Sequence, residues 1–165
     1  MVRRITIGVV LAGLAVVWAP NAVAAAPTKT VNAAYAGRND LSPNDARCSV
    51  TFRQVEHDAF TDAALGNGTM ILRYCTDLVG GASITAVSSG NFVITLHNRD
   101  RIRGTYSGVN TDILSSNYTG TLTATGGTGK WRHASGTLVQ NATVVSFVPG
   151  VSWQVTGTLV GTITR

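Results

Sequence analysis

Residues 151–164, VSWQVTGTLVGTIT, decide the fold. Val151, Trp153, Val155, Gly157, Leu159, Gly161 and Ile163 alternate with Ser152, Gln154, Thr156, Thr158, Thr162 and Thr164. Val160 is the one apolar residue on the polar side of the pattern. A period of two this long fits a β-strand with one buried face and one wet face, and no helical face can be drawn through it.

The same alternation extends backwards along the chain. In residues 117–125, Tyr118, Gly120, Leu122 and Ala124 interleave with a ladder of threonines, β-branched polar residues that suit a solvent face. Shorter runs at 48–55, 69–76, 82–87, 91–98, 101–107 and 135–147 bring the strand count to about eight. In 91–98, Phe92, Ile94 and Leu96 share one face, while Val93, Thr95 and His97 share the other. Between the runs stand Gly66-Asn67-Gly68, Gly80-Gly81, Ser88-Ser89-Gly90-Asn91, Asn98-Arg99-Asp100 and Gly126-Gly127-Thr128-Gly129, which turn a chain at little cost. Asp58 to Leu65 could make one helical turn, and nothing else after residue 25 competes with the strands.

The expected class is therefore all-β. Short turns between successive strands make an antiparallel meander, and eight strands close into a barrel or fold into a sandwich. The in-strand glycines Gly104, Gly120, Gly136, Gly157 and Gly161 favour the closed eight-stranded β-barrel, because closure demands sharp coiling.

The amino terminus reads as an export signal. Arg3 and Arg4 precede the uncharged run Ile5–Val17, which is too short to span a bilayer, and the small-residue tract Ala22-Val23-Ala24 suits cleavage after Ala24. The three regions expected are a signal peptide at 1–24, a flexible arm at 25–45 and a β-barrel domain at 46–165. The mature protein is expected to be secreted, with no membrane-spanning helix left after cleavage. Its 141 residues suffice for one domain with a real core.

Loss of Arg3 and Arg4 with the leader lowers the formal charge from +5 to +3. Only Arg99, Arg101 and Arg103 cluster, beside Asp100, so no nucleic-acid partner is expected. Cys48 and Cys75, an even count in an exported chain, are expected to pair, closing a loop worth roughly 3 kcal/mol.

Residues 126–136, GGTGKWRHASG, resemble a segment of the allene oxide cyclase and dirigent-like barrels and of exported bacterial relatives. GTYSG at 104–108 and NYTGTLTATGGTG at 117–129 extend the likeness, which is firm over roughly residues 90–164. The resemblance implies an eight-stranded barrel, trimeric in plant members, that acts by holding a reactive apolar molecule in one shape. Gly126, Gly127, Gly129 and Gly136 would supply positive-φ turns around Trp131, which would plug one barrel end. Arg132 and His133 depart from the pattern of the bacterial relatives, which carry small residues there.

Reactive constellations are sparse. His57, His97 and His133 lack ligand spacing, so no metal is expected, and no cofactor motif is present. There is no Gly-x-Ser-x-Gly. The carboxylates Glu56, Asp58, Asp62, Asp77, Asp100 and Asp112 read mostly as solvated turn residues. Phe92, Tyr106, Tyr118 and Trp153 are the candidate lining of a ligand cavity, with room left by the inward Gly120, Ala124, Gly157 and Gly161. Equally, those aromatics would simply fill the core. The leading expectation is a secreted barrel that binds or shapes a small apolar molecule. The alternatives are a structural or partner-binding envelope protein, supported weakly by the Asn-x-Thr sequons at Asn67, Asn117 and Asn141, and a cyclase- or isomerase-like enzyme.

Overall fold

A computed structural model describes residues 26–43, 45–48, 52–79, 84–110, 116–149 and 151–165. Eight strands follow one another around a closed antiparallel barrel: β1 Thr28–Pro43, β2 Phe52–Asp62, β3 Gly66–Val79, β4 Ile84–Leu96, β5 Arg101–Asn110, β6 Asn117–Gly127, β7 Ser135–Val148 and β8 Ser152–Thr164. Each strand pairs with its sequence neighbours, and β1 closes the ring by pairing with both β2 and β8. The expected signal peptide and its cleavage site lie outside the described residues.

From Val155 onward the alternation of β8 is realised as read, with Val155, Leu159 and Ile163 buried and Val160 on the outer face beside Val139; at its start the reading fails, because Val151 is exposed, Ser152 is buried and Trp153 is half-buried. In β6, Gly120, Leu122 and Ala124 point inward and the threonines outward. Inward residues of all eight strands merge into one core, which includes Val31, Phe60, Met70, Leu72, Phe92, Ile94, Ile102, Leu138 and Leu159.

Two departures from the sequence reading offset one another. Residues 28–43, expected to be an arm, are the first barrel strand, with Val31, Ala33, Tyr35 and Asn39 buried on one face. The alternation is hard to read because two of its inward residues are Gly37 and a polar Asn39. Conversely, 82–87 and 91–98 belong to one strand, β4, whose pairing with β5 shifts between Ala86 and Gly90. The glycine and serines there make an irregularity in the ladder, not a reversal of the chain. Asp58–Leu65 likewise forms no helical turn: β2 continues to Asp62, and the reversal comes at residues 63–65. Asn67 and Gly68 are already inside β3.

One barrel end is shut by the glycine-rich segment. Gly126, Gly129 and Gly136 have positive φ, whereas Gly127 does not. A short 3-10 turn, Gly129–Trp131, folds Trp131 into the core at 1% exposure. At Gly129, with φ of 54°, a Cβ would fall 2.0 Å from Asp100 Oδ1, so the turn packs tightly on the β4–β5 connection. Thr128 and Arg101 lock the two segments with paired 2.9 Å hydrogen bonds.

Cys48 and Cys75 are disulfide-bonded, with Cα atoms 5.7 Å apart. The bond ties the segment after β1 to β3. Beside it Asp45 pairs with Arg47 at 2.6 Å, and those hydrogen bonds hold its carboxyl well below the usual range.

Candidate functional site

The barrel interior is divided. Toward Trp131 it is aliphatic and aromatic, while toward the end where β3 passes to β4 and β5 to β6 it is polar. The polar half contains Tyr35 and Asn39 from β1, Gln54, Glu56 and Asp58 from β2, Tyr74 and Thr76 from β3, Tyr106 from β5, Tyr118 from β6 and Gln140 from β7. All of these are buried except Tyr118, which is half-buried. Strand alternation puts them there: 54, 56 and 58 are successive inward positions of β2, and His57 between them is exposed.

Glu56 is the hub. Gln140 Nε2 donates to its Oε1 at 2.8 Å, and the Tyr118 hydroxyl donates to its Oε2 at 2.8 Å. The Asn39 amide nitrogen lies 3.2 Å from the same Oε2 and 3.1 Å from Gln54 Oε1, and it also reaches the Tyr74 hydroxyl. Gln54 passes the chain on to Thr76 at 2.6 Å, and the Tyr106 hydroxyl donates to Gln140 Oε1 at 2.8 Å. Burial raises the Glu56 pKa, and the hydrogen bonds it accepts oppose that rise.

Asp58 is treated differently. Neither of its carboxyl oxygens has a hydrogen-bond partner among the described residues, although it approaches Glu56. Burial first, and the charge of Glu56 second, push its pKa up to about 9, so it is protonated at neutral pH. Its carboxyl lies over Gly37, the residue opposite it on β1, where a Cβ would fall 2.1 Å from Oδ1. Flanking Gly37 on the same inward face, Tyr35 Oη and Asn39 Oδ1 are also buried without partners. Tyr35 approaches Gln140 without a well-formed hydrogen bond. Burial, then Glu56 and Asp58, keep its hydroxyl protonated far above the usual range.

The sequence-selected lining residues divide accordingly. Tyr106 and Tyr118 belong to the polar network. Trp153 is half-buried at the same barrel end, where its ring lies 6.1 Å from that of Phe147 and its Nε1 has no partner. Phe92 belongs to the apolar half. The inward glycines at 120 and 157 leave less room than their sequence suggested, because rings cover them. A Cβ at Gly120 would fall 2.4 Å from the Tyr106 ring, and one at Gly157 would fall 2.8 Å from that of Tyr35.

Glu56, Asp58 and Asp62, read from sequence as mostly solvated, are all buried. Asp62 is fully occupied by backbone, accepting from the amides of Asn32, Ala64 and Leu65 at 2.6–2.8 Å. The signal that could have exposed Glu56 and Asp58 is their spacing of two in a segment whose next inward residue is Phe60.

No protein-family model and no curated protein matches this sequence. Among solved structures, the chain is similar to a pterocarpan synthase dirigent protein at 10% sequence identity and a TM-score of 0.49, over 90% of this chain and 98% of that one.

Proposed function

We propose that the protein is an exported barrel that binds a small molecule in its polar half, with a polar group of the ligand seated against Tyr35, Asn39 and Asp58. One observation carries this reading: three neighbouring buried side chains present polar atoms that nothing in the described protein satisfies. Buried polar atoms are paired in nearly all folded proteins, and a group of exceptions on one wall marks a place where something else pairs with them. Tyr118 and Trp153, at the starts of β6 and β8, would meet the apolar part of the ligand. The expected ligand is thus not wholly apolar; it has an apolar body and a hydrogen-bonding head. The resemblance of residues 126–136 to barrels that shape small molecules supports the same reading, as do the leader-like residues 1–24 and the Cys48–Cys75 bond, which suits an oxidising compartment.

A second reading, a partner-binding surface module, is favoured by the β7–β8 connection. Val145, Phe147, Val148 and Val151 are each more than half exposed there. Native mass spectrometry of the oxidised protein from its host's medium separates the two. A retained small molecule that Tyr35→Phe and Asp58→Asn lose supports ligand binding. A ligand-free species, with no thermal shift across a lipid and phenolic panel, overturns it in favour of the partner module.

A further inference from the structure

The polar half of the barrel contains acid without base. Glu56 and Asp58 are buried side by side, yet no described lysine, arginine or histidine is buried. The ion pairs Arg38–Asp40, Arg47–Asp45 and Arg53–Asp45 all lie outside the lumen. Buried carboxyls are ordinarily matched by a cation or by donors. Asp62, at the other barrel end, has three backbone amides, and Glu56 has its side-chain donors. Asp58 has neither.

Of the unsatisfied atoms, Asn39 Oδ1 only accepts, Tyr35 Oη and the protonated Asp58 carboxyl each carry one hydrogen as well, and the carboxyl becomes acceptor-only when it ionises. Asn39 has committed its amide nitrogen to Gln54, Glu56 and Tyr74, leaving only its carbonyl oxygen. Asp58 offers two oxygens and Tyr35 a phenol oxygen. A ligand hydroxyl brings one hydrogen and no charge, and it leaves Asp58 protonated. A primary ammonium brings three hydrogens and a positive charge. Aromatic faces stand close by: Tyr74 and Tyr106 pack at 5.0 Å between ring centroids, and Tyr35 lies across Gly157. Such faces attract a cation through their quadrupoles.

We infer that the ligand is a small organic cation, an ammonium on an apolar body, whose N–H groups are received by Asp58, Asn39 Oδ1 and Tyr35 Oη. This rests on the proposed ligand site and specifies its chemical class. Entry of the ammonium converts the protonated Asp58 to a carboxylate: the O–H bond breaks, the proton leaves to solvent, and the ion pair forms in its place. The groups facing Asp58 are Glu56 on its own strand, Tyr35 on β1, Tyr74 on β3 and Tyr106 on β5. The tyrosines stay neutral because burial raises each of them, so Asp58 is the source of the released proton.

Isothermal titration calorimetry on the oxidised full-length barrel tests this with three amine–alcohol pairs of rising size: n-butylamine and n-butanol, benzylamine and benzyl alcohol, 2-phenylethylamine and 2-phenylethanol. The expected result is that at least one amine binds about tenfold or more tightly than its alcohol, and that titration in two buffers of different ionisation enthalpy shows about one proton released. Asp58→Asn is expected to abolish the release and the preference for amine, and Tyr35→Phe to weaken amine binding with the release intact. Alcohols that bind as tightly as their amines would overturn the cation assignment and leave the ligand-site reading standing. Stabilisation by calcium chloride, lost in Asp58→Asn and not matched by any amine, would overturn it in favour of an inorganic cation. No binding by any amine also overturns it, and the retained molecule in native mass spectrometry then judges the broader reading separately.

Discussion

Glu56 and Asp58 stand at successive inward positions of β2, and only Glu56 is held by donors from other strands. Two buried carboxyls on one strand thus acquire different tasks from their surroundings. Glu56 organises a network reaching five other strands, and Asp58 remains a protonated acid whose oxygens that network does not serve. The contrast sets a dependence of stability on pH. Asp58 holds a proton in the folded chain up to about pH 9, whereas an unfolded aspartic acid loses it near pH 4. Between these values the folded state binds the extra proton, so the stability that Asp58 contributes is full below about pH 4 and is lost as pH rises toward 9, by at most about 1.4 kcal/mol per pH unit. Asp58→Asn keeps the shape without the acid and is expected to flatten that fall and to be the more stable chain at pH 8. Urea unfolding across pH 4–9 with the disulfide intact measures it; identical slopes for the two chains would refute the assignment.

Gln140 connects two parts of the network, donating to Glu56 and accepting from Tyr106. Gln140→Leu strands both partners in the core and is expected to cost about 2–4 kcal/mol. Tyr118→Phe removes one donor from an oxygen that Asn39 still serves, so its cost is expected to be smaller, about 1–2 kcal/mol. Chemical denaturation of both variants gives the ranking, and a reversed order would show that Glu56 is not organised as described.

The far end of the barrel depends on shape. Trp131→Ala empties a large volume behind the glycine-rich turn and is expected to cost about 3–5 kcal/mol, read from the denaturation midpoint. Gly136→Ala, at φ of 128° with a Cβ 2.2 Å from the Thr162 carbonyl oxygen, is expected to destabilise as well, because the backbone there suits glycine alone.

Much of this end was legible from residues 126–136, because a turn built on glycine and one large aromatic writes its requirements into adjacent positions. The outward threonines of β6 and β8 were legible for a similar reason: alternation is a local property. The polar half was not. Its members come from six strands, and each is an isolated Asn, Gln, Tyr or acid that resembles a surface residue until the barrel closes. Asn39 hid a strand because a polar residue at an inward position breaks the apolar alternation. Gly90 divided a strand in the reading because a glycine in a ladder irregularity resembles a glycine in a turn. Glu56 and Asp58 were read as solvated turn residues, since acids are rarely buried, and only long-range contacts such as Glu56 with Gln140 reveal the exception.

The disulfide secures the segment between β1 and β2 from outside the barrel ladder. Replacing both cysteines by serine is expected to lower stability by roughly 3 kcal/mol, by releasing the unfolded chain from a closed loop. The far-UV circular dichroism of the barrel is expected to survive, since no strand pairing passes through the bond. Loss of that spectrum at room temperature would show that the tie is needed to close the ring.

Tyr35 and Tyr106 provide the sharpest contrast, because both rings are buried against glycines and only one hydroxyl is used. The Tyr106 hydroxyl donates to Gln140, so Tyr106→Phe removes a made bond and leaves an acceptor bare, an expected cost of about 1–2 kcal/mol. The Tyr35 hydroxyl has no partner, so Tyr35→Phe removes a buried polar atom that the ligand-free protein does not satisfy, and it is expected to leave stability unchanged or raise it by about 1 kcal/mol. The same variant is expected to weaken ligand binding, because the hydroxyl is retained for the bound state. A protein that keeps an unsatisfied group at a cost to its own stability and loses binding when that group is removed has that group as part of its site. Thermal unfolding and ligand titration of the two variants side by side decide this: if Tyr35→Phe destabilises as much as Tyr106→Phe does, Tyr35 is a structural residue and the wall formed with Asn39 and Asp58 is not a binding surface.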